Sequence, residues 1–287
     1  MCDASRTRVT GFTFALAIAL STPAFAQVDF SGHWGVRQFE DQEDRAPGGE
    51  LGDFTGIPLT EAARLKAETW DAAQYGQREY QCRPHAANFI FRSVHPVRIY
   101  KDVDPVTGDA VAFHANFRNL VDRVVYLDGR PHPPEEAAHT WGGFSTGKWE
   151  GDVLNVTVTH IKDYIIRRDG PPLSDKTEIH ERWIRHGDVL TIVQIINDLY
   201  LSEPYIISTD YVYDPRLQND PPQLCEVEEE SDAPRGWVPH HLPGTNHDNE
   251  EFAAKHGMPV IAARGGAETA YPDFRKKMAT AKTAGGK

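Results

Sequence analysis

From residue 87 to residue 213 the chain is a succession of short β-branched and aromatic runs, each cut off by residues that tolerate a positive φ. That texture admits an antiparallel barrel or a sandwich and little else. The runs fall at 88–94, 97–101, 110–119, 123–127, 153–166, 176–185, 189–197 and 205–213. Asp128-Gly129, Glu150-Gly151-Asp152 and His186-Gly187-Asp188 supply tight turns, and the last of these, between 183–185 and 189–193, carries the strongest hairpin signal. The flanks differ. Thr60 caps a run of helix formers that predicts a helix near 60–73, and residues 249–256 predict a short helix capped by Asp248 or Asn249 and stopped at Gly257. Prolines thicken after Tyr213, so the remainder reads as a wrap over the barrel with a frayed end.

Length and charge narrow the function classes. With 287 residues, 40% hydrophobic and 25% charged, and a mean hydropathy of -0.51, the chain reads as globular and long enough for a substantial core. Its 42 acidic against 30 basic residues give a net charge of -12, which repels a phosphate backbone, so no nucleic acid is expected as a partner. Arg6 and Arg8, the apolar run 11–20 and Ala24-Phe25-Ala26 read as a secretory leader cleaved before Gln27. No later stretch approaches the roughly 18–20 apolar residues of a spanning helix. The expected organisation is a signal peptide over 1–26, a barrel domain with an N-terminal helix over 27–215 and an extension packed on the barrel over 216–287, in a periplasmic or secreted protein.

Cleavage removes Cys2 and leaves Cys82 and Cys225. In an oxidising compartment this pair predicts one disulfide, with two buried free thiols as the alternative. Closing so long a loop contributes on the order of 4 kcal/mol in the chain-entropy model.

Two resemblances bear on the fold. Asp29-Phe30-Ser31-Gly32-His33-Trp34 resembles the Gly-x-Trp entry of lipocalin-like barrels, in which the Trp closes one barrel end. The block from Asp128-Gly129-Arg130-Pro131-His132-Pro133 through Thr140-Trp141-Gly142-Gly143-Phe144 to Trp149-Glu150-Gly151-Asp152, with Arg264-Gly265-Gly266 near the end, resembles a large family of uncharacterised secreted bacterial proteins. That resemblance covers most of the mature chain and implies a β-barrel, without catalytic residues to carry over. The expected fold is therefore mostly β: an antiparallel lipocalin-like barrel from about Val28 to Tyr213, with one or two short helices and a long C-terminal wrap. Barrels of this kind enclose one small ligand.

Thirteen histidines supply candidate chemistry. Strand alternation over 153–162 puts Leu154, Val156 and Val158 on one face and continues it with His160 and Lys162, which predicts a base at the edge of an apolar cavity. The plain alternative is a strand that emerges into solvent at His160. Tyr126 and Asp128 share a face before a stiff turn in which prolines on both sides fix His132, while Asp128 and Arg130 also suit a simple pair across that turn. His139 and Trp141 follow, Trp141 as a stacking surface or a barrel plug. His95, Arg98 and Tyr100 interleave with apolar residues, and an inward Arg98 would bind a carboxylate or phenolate. His160, His132, Lys162, Asp128 and His95 are thus the expected catalytic groups, with Tyr126, Arg130, Trp141, His139, Arg98 and Tyr100 around the substrate.

Other chemistries lack their motifs. His240, His241, His247 and His256 match no zinc spacing, and no Gly-x-Ser-x-Gly, Gly-x-Gly-x-x-Gly or P-loop occurs, so no metal and no cofactor are expected. The leading expectation is a cofactor-independent enzyme of the lyase, hydratase or isomerase kind, acting on a small apolar or aromatic molecule in a barrel cavity by His-based acid/base catalysis. A periplasmic binding or carrier protein is the alternative, and a structural envelope protein, with its cavity filled by side chains, is the third.

Overall fold

In the computed structural model the described residues are 28–39, 50–92, 95–117, 121–217, 225–228, 234, 236–274 and 276–278. The expected leader over 1–26 lies outside them, as does most of the expected frayed end. The strands are β1 (Gly32–Phe39), β2 (Val97–Val103), β3 (Ala110–Phe117), β4 (Val121–Tyr126), β5 (Phe144–Glu150), β6 (Val153–Thr159), β7 (Tyr164–Ile165), β8 (Pro172–Leu173), β9 (Glu178–His186), β10 (Val189–Asn197) and β11 (Tyr205–Tyr213). The helices are α1 (Glu61–Ala67), α2 (Arg78–Gln81), α3 (Ala87–Ile90), α4 (Asp248–His256), α5 (Val260–Ala263) and α6 (Ala267–Ala270), with a 3-10 turn at Ala72–Gly76.

Nine strands close into a barrel in the order β1-β11-β10-β9-β6-β5-β4-β3-β2, and β7 pairs only with β8. The mostly β fold class and the closed barrel expected from the sequence are present. Alternation builds it: Leu190, Ile192, Gln194 and Ile196 of β10 and Tyr205, Ile207, Thr209 and Tyr211 of β11 all turn inward. The turn at His186-Gly187-Asp188 forms the predicted hairpin, with Val189 opposite His186.

The barrel is not wholly antiparallel. β4 and β5 run parallel and pair only at Val125–Ser145 and Tyr126–Thr146, so residues 127–143 cross over outside the barrel to return the chain to the starting end. β5 itself escaped prediction because Gly147 and Lys148 dilute its β character. A Cβ at 147 would lie 2.7 Å from the Leu127 Cδ2, so any larger residue there makes that side chain shift. Of the expected strand over 88–94, residues 88–90 belong instead to α3, whose four residues are all buried, while 93–94 lie outside the described residues; a run buried on every side carries no periodicity to tell strand from helix. The expected strand over 153–166 stops at Thr159, because His160 has φ 55 and is the one non-glycine residue among those described in the left-handed region. α1 starts at the Thr60 cap as predicted and ends at Ala67, well short of 73. α4 ends at Gly257, whose φ of 60 makes it the expected stop.

Side chains fill the barrel. Phe30, Trp34, Phe91, Phe113, Trp183 and Tyr211 are each at most 1% exposed, and the Phe91 and Trp183 rings meet edge to face at 5.3 Å. Among them Glu181 takes both guanidinium arms of Arg123, at 2.8 and 2.5 Å, together with the Gln194 side-chain amide and the Trp183 indole N–H, each at 2.9 Å. The ligand cavity expected inside the barrel is therefore occupied by protein.

The long connections gather at one end. Strand directions place the segment 50–92 and the connections 160–177 and 198–204 at the same barrel mouth, while the opposite end carries the short turns after β2, β5 and β9. The predicted Cys82–Cys225 disulfide forms there, with Cα atoms 5.7 Å apart, and ties the end of α2 to a residue 143 positions later. Gln81 strengthens the tie by accepting from the Glu228 amide at 2.8 Å. Further on, Gly266 N–H donates to the Ile57 carbonyl at 2.8 Å and Arg64 to the Gly265 carbonyl at 2.9 Å, so the C-terminal helices pack on the 54–64 segment. Among the described residues no helix is long and apolar enough to cross a membrane.

Candidate functional site

Most residues expected around a central substrate face outward. Inward positions of β2 belong to Val97 and Ile99, which leaves Arg98 exposed over the Tyr100 ring at 5.1 Å, and Tyr100 donates to Asp122 at 2.8 Å. Asp128 and Arg130 pair with each other across the turn at 2.9 and 2.5 Å, both exposed, and the guanidinium lies 3.7 Å over the Tyr126 ring. His95 packs its ring 6.0 Å from Phe117. Lys162 is exposed with its ammonium 5.0 Å over Trp141. It does not continue the apolar face of β6, since the left-handed residue 160 shifts that face onto buried Ile161.

The structure does bring His132, His139 and His160 together, on the outer wall of β5 and β6 where the crossover packs. They border a cleft of about 270 Å3 with Glu135, Lys176 and Glu178. Carbonyl acceptors fix the protons. Pro134 and Ile161 carbonyls can only accept, so His160 donates from Nε2 at 2.9 Å and His139 from Nδ1 at 3.0 Å. In the neutral ring the His160 Nδ1 then accepts the Thr159 hydroxyl at 2.7 Å, His132 Nδ1 donates to the same oxygen at 2.7 Å, and His132 Nε2 accepts the Thr146 hydroxyl at 2.8 Å. Burial, and next the proximity of His160, pushes the His132 imidazole down, which favours its neutral ring. Both nitrogens of His132 and of His160 are thus engaged in anchoring the crossover.

A second and larger cavity, of about 570 Å3, lies over the loop-rich barrel end between residues 66–85 and 163–172. That volume suits a small organic ligand. Trp70, Tyr75, Tyr80 and Tyr164 supply aromatic walls, and Lys66, Arg83 and Arg168 supply three cations against one acid, Asp163. The 167–170 turn sets the direction of one of these cations. Arg167 and Asp169 are buried and paired at 2.8 and 3.3 Å, with a further bond from Arg167 to the Asp53 carbonyl, so the intervening Arg168 is turned out to the cavity. Burial pushes the Asp169 carboxyl up to about 6, against the pull of Arg167. At Gly170, φ is 107 and a Cβ would stand 2.3 Å from the Trp70 Cγ, so only glycine lets the indole lie against this turn.

Within the cavity wall, His85 Nδ1 and the Tyr164 hydroxyl are 2.7 Å apart. The imidazole is held by stacking on Phe89 at 5.0 Å, and Tyr164 by edge contacts with Phe89 at 5.4 Å and Trp141 at 5.8 Å. Burial pushes the Tyr164 phenol well up, and pushes Tyr75 up to about 12, so both stay protonated donors near neutral pH. The Tyr75 hydroxyl and the Trp70 indole N–H are buried and, among the described residues, have no hydrogen-bond partner.

Of the sequence-predicted residues only Trp141 touches this cavity's wall. His85, Tyr164, Arg83, Arg168, Trp70 and Tyr75 were missed. Their one signal was the aromatic and basic density of 70–85 around Cys82. Comparison with known proteins finds no matching family model, no similar curated protein and no similar solved structure. Among the described residues, no group of three or more His, Cys, Asp or Glu is arranged to hold a metal ion, and the C-terminal histidines are dispersed, His256 on Glu50 at 3.2 Å and His240 on the Val238 carbonyl at 3.0 Å.

Proposed function

We propose that this is a secreted or periplasmic acid/base enzyme of the lyase, hydratase or isomerase kind, which binds a small aromatic molecule at the barrel mouth and moves a proton on it with His85 and Tyr164. The observation that carries this reading is the imidazole–phenol contact at 2.7 Å on the wall of an aromatic-lined cavity of about 570 Å3. An imidazole is the side chain best matched to taking a proton near neutral pH, and a phenol that keeps its own proton stabilises an oxyanion developing beside it. Trp70, Tyr75 and Tyr80 provide ring surfaces for an aromatic body. Proton transfer of this kind draws on side chains alone.

Trp70 reports occupancy through its fluorescence. A library of small aromatic molecules, screened by quenching in the wild type and in Trp70→Phe, identifies what binds. Bound compounds are then incubated with protein in heavy water and followed by mass spectrometry. The expected result is deuterium uptake or conversion of at least one of them, with His85→Asn and Tyr164→Phe each slowing it by about 100-fold while retaining binding. Binding without exchange or conversion would return the carrier reading. An absence of aromatic binders would overturn the site.

A further inference from the structure

We infer that the ligand of this cavity is an anion, an aromatic body bearing a carboxylate or a group of like charge and shape, held at Arg83 and Arg168. The inference rests on the reading that the cavity is the ligand site and adds the charge of what enters it. In a chain of net charge -12 the cavity lining, among the described residues, carries Lys66, Arg83 and Arg168 against Asp163. Glu228 reaches the rim through its backbone, bonded to Gln81. Several surface arginines of this chain, Arg64, Arg130, Arg216 and Arg264, sit on carboxylates. Neither Arg83 nor Arg168 has an ion-pair partner among the described residues: Arg83 bonds only the Glu79 carbonyl and lies 3.8 Å over the Tyr80 ring.

The neutral donors repeat the pattern. Trp70 Nε1 and Tyr75 Oη each carry a hydrogen with no acceptor among the described residues, and burial keeps the Tyr75 phenol protonated. Two planar guanidiniums and two unmatched donors around one cavity call for a ligand rich in acceptor oxygens and poor in donors, which describes a carboxylate. Electrostatics favours the same sign, since an anion gains here from local cations that a neutral isostere does not sense.

The test compares a naphthalene carboxylate with the matching carboxamide, equal in shape and different in charge, by titration of Trp fluorescence with the full-length oxidised protein. The carboxylate is expected to bind about tenfold more tightly, as charge-assisted contacts at a partly exposed rim allow. Raising the ionic strength from about 0.05 M to about 0.5 M should shrink that preference, and Arg83→Gln and Arg168→Gln should each lower it severalfold while leaving carboxamide affinity unchanged. Equal affinity for the two compounds, or preference for the carboxamide, overturns the anion assignment and leaves the cavity standing as the ligand site. Failure of both to bind overturns the assignment together with the site.

Discussion

Arg123 and Arg168 both stand among aromatic side chains, and the fold treats them in opposite ways. Arg123, inside the barrel and 1% exposed, lies 5.2 Å over the Phe91 ring and has its charge matched by Glu181, whose two oxygens accept four donors. Arg168, on the cavity wall, has flanking neighbours that pair with each other and, among the described residues, is itself left without a carboxylate. A buried charge without a partner is too costly to survive, whereas one at a solvent-open wall is tolerated. The first arrangement makes structure and the second leaves a charge available to a ligand.

The sharpest way to break this contrast is to remove one charge from each place. Glu181→Gln strands the Arg123 cation in the core and should destabilise the protein by about 3–5 kcal/mol, while the double change Arg123→Met with Glu181→Leu should recover most of that loss. Arg168→Gln should move stability by no more than about 0.5 kcal/mol. Denaturant midpoints of the three variants decide it, and a large loss in Arg168→Gln would mean that this residue is structural after all.

A smaller effect is expected at Gly170, where an added Cβ would both strain the positive φ and push the Trp70 ring across the cavity. Gly170→Ala should cost about 1–3 kcal/mol and weaken aromatic binding together with it. Thermal melts and the same fluorescence titration read the two losses side by side.

The smallest effects come from two outer-wall histidines of opposite sign. Burial pushes the His114 imidazole down, but Asp102 and Asp122, each at 3.0 Å, outweigh it and hold it above its ordinary value. The stability it contributes is fully present below about pH 6.5 and lost as pH rises through its higher folded value. His132 is held below its ordinary value, so its contribution is lost as pH falls from about 6.5 through the lower folded value. His114→Gln should therefore destabilise by about 0.2–1 kcal/mol at pH 5.5 and by less at pH 8.5, with His132→Gln destabilising more at the higher pH. Denaturation curves at both pH values check the crossing.

Much of the barrel was legible because its signals are local. Turn glycines and alternation placed β10 and β11 to the residue, and an even cysteine count in a chain read as exported predicted the disulfide. The Arg123–Glu181 pair was within reach as well, since alternation sets Arg123 with Val121 and Val125, and Glu181 with Ile179 and Trp183, on inward faces. What escaped depends on distant chain meeting distant chain. A parallel β4–β5 pair has no turn to announce it. The cavity joins 66–85 to 163–172, and no periodicity within either stretch tells that His85 meets Tyr164. His160 misled the alternation because one left-handed residue moves everything after it to the other face.

The disulfide also sets a schedule. Because Cys82 lies on the cavity wall's own segment and its partner comes 143 residues later, that wall is locked only after most of the chain has been synthesised and only where thiols are oxidised. No strand pairing of the barrel runs through that bond, so on the proposed reading a reductant loosens the wall that would hold a ligand before it touches the barrel itself.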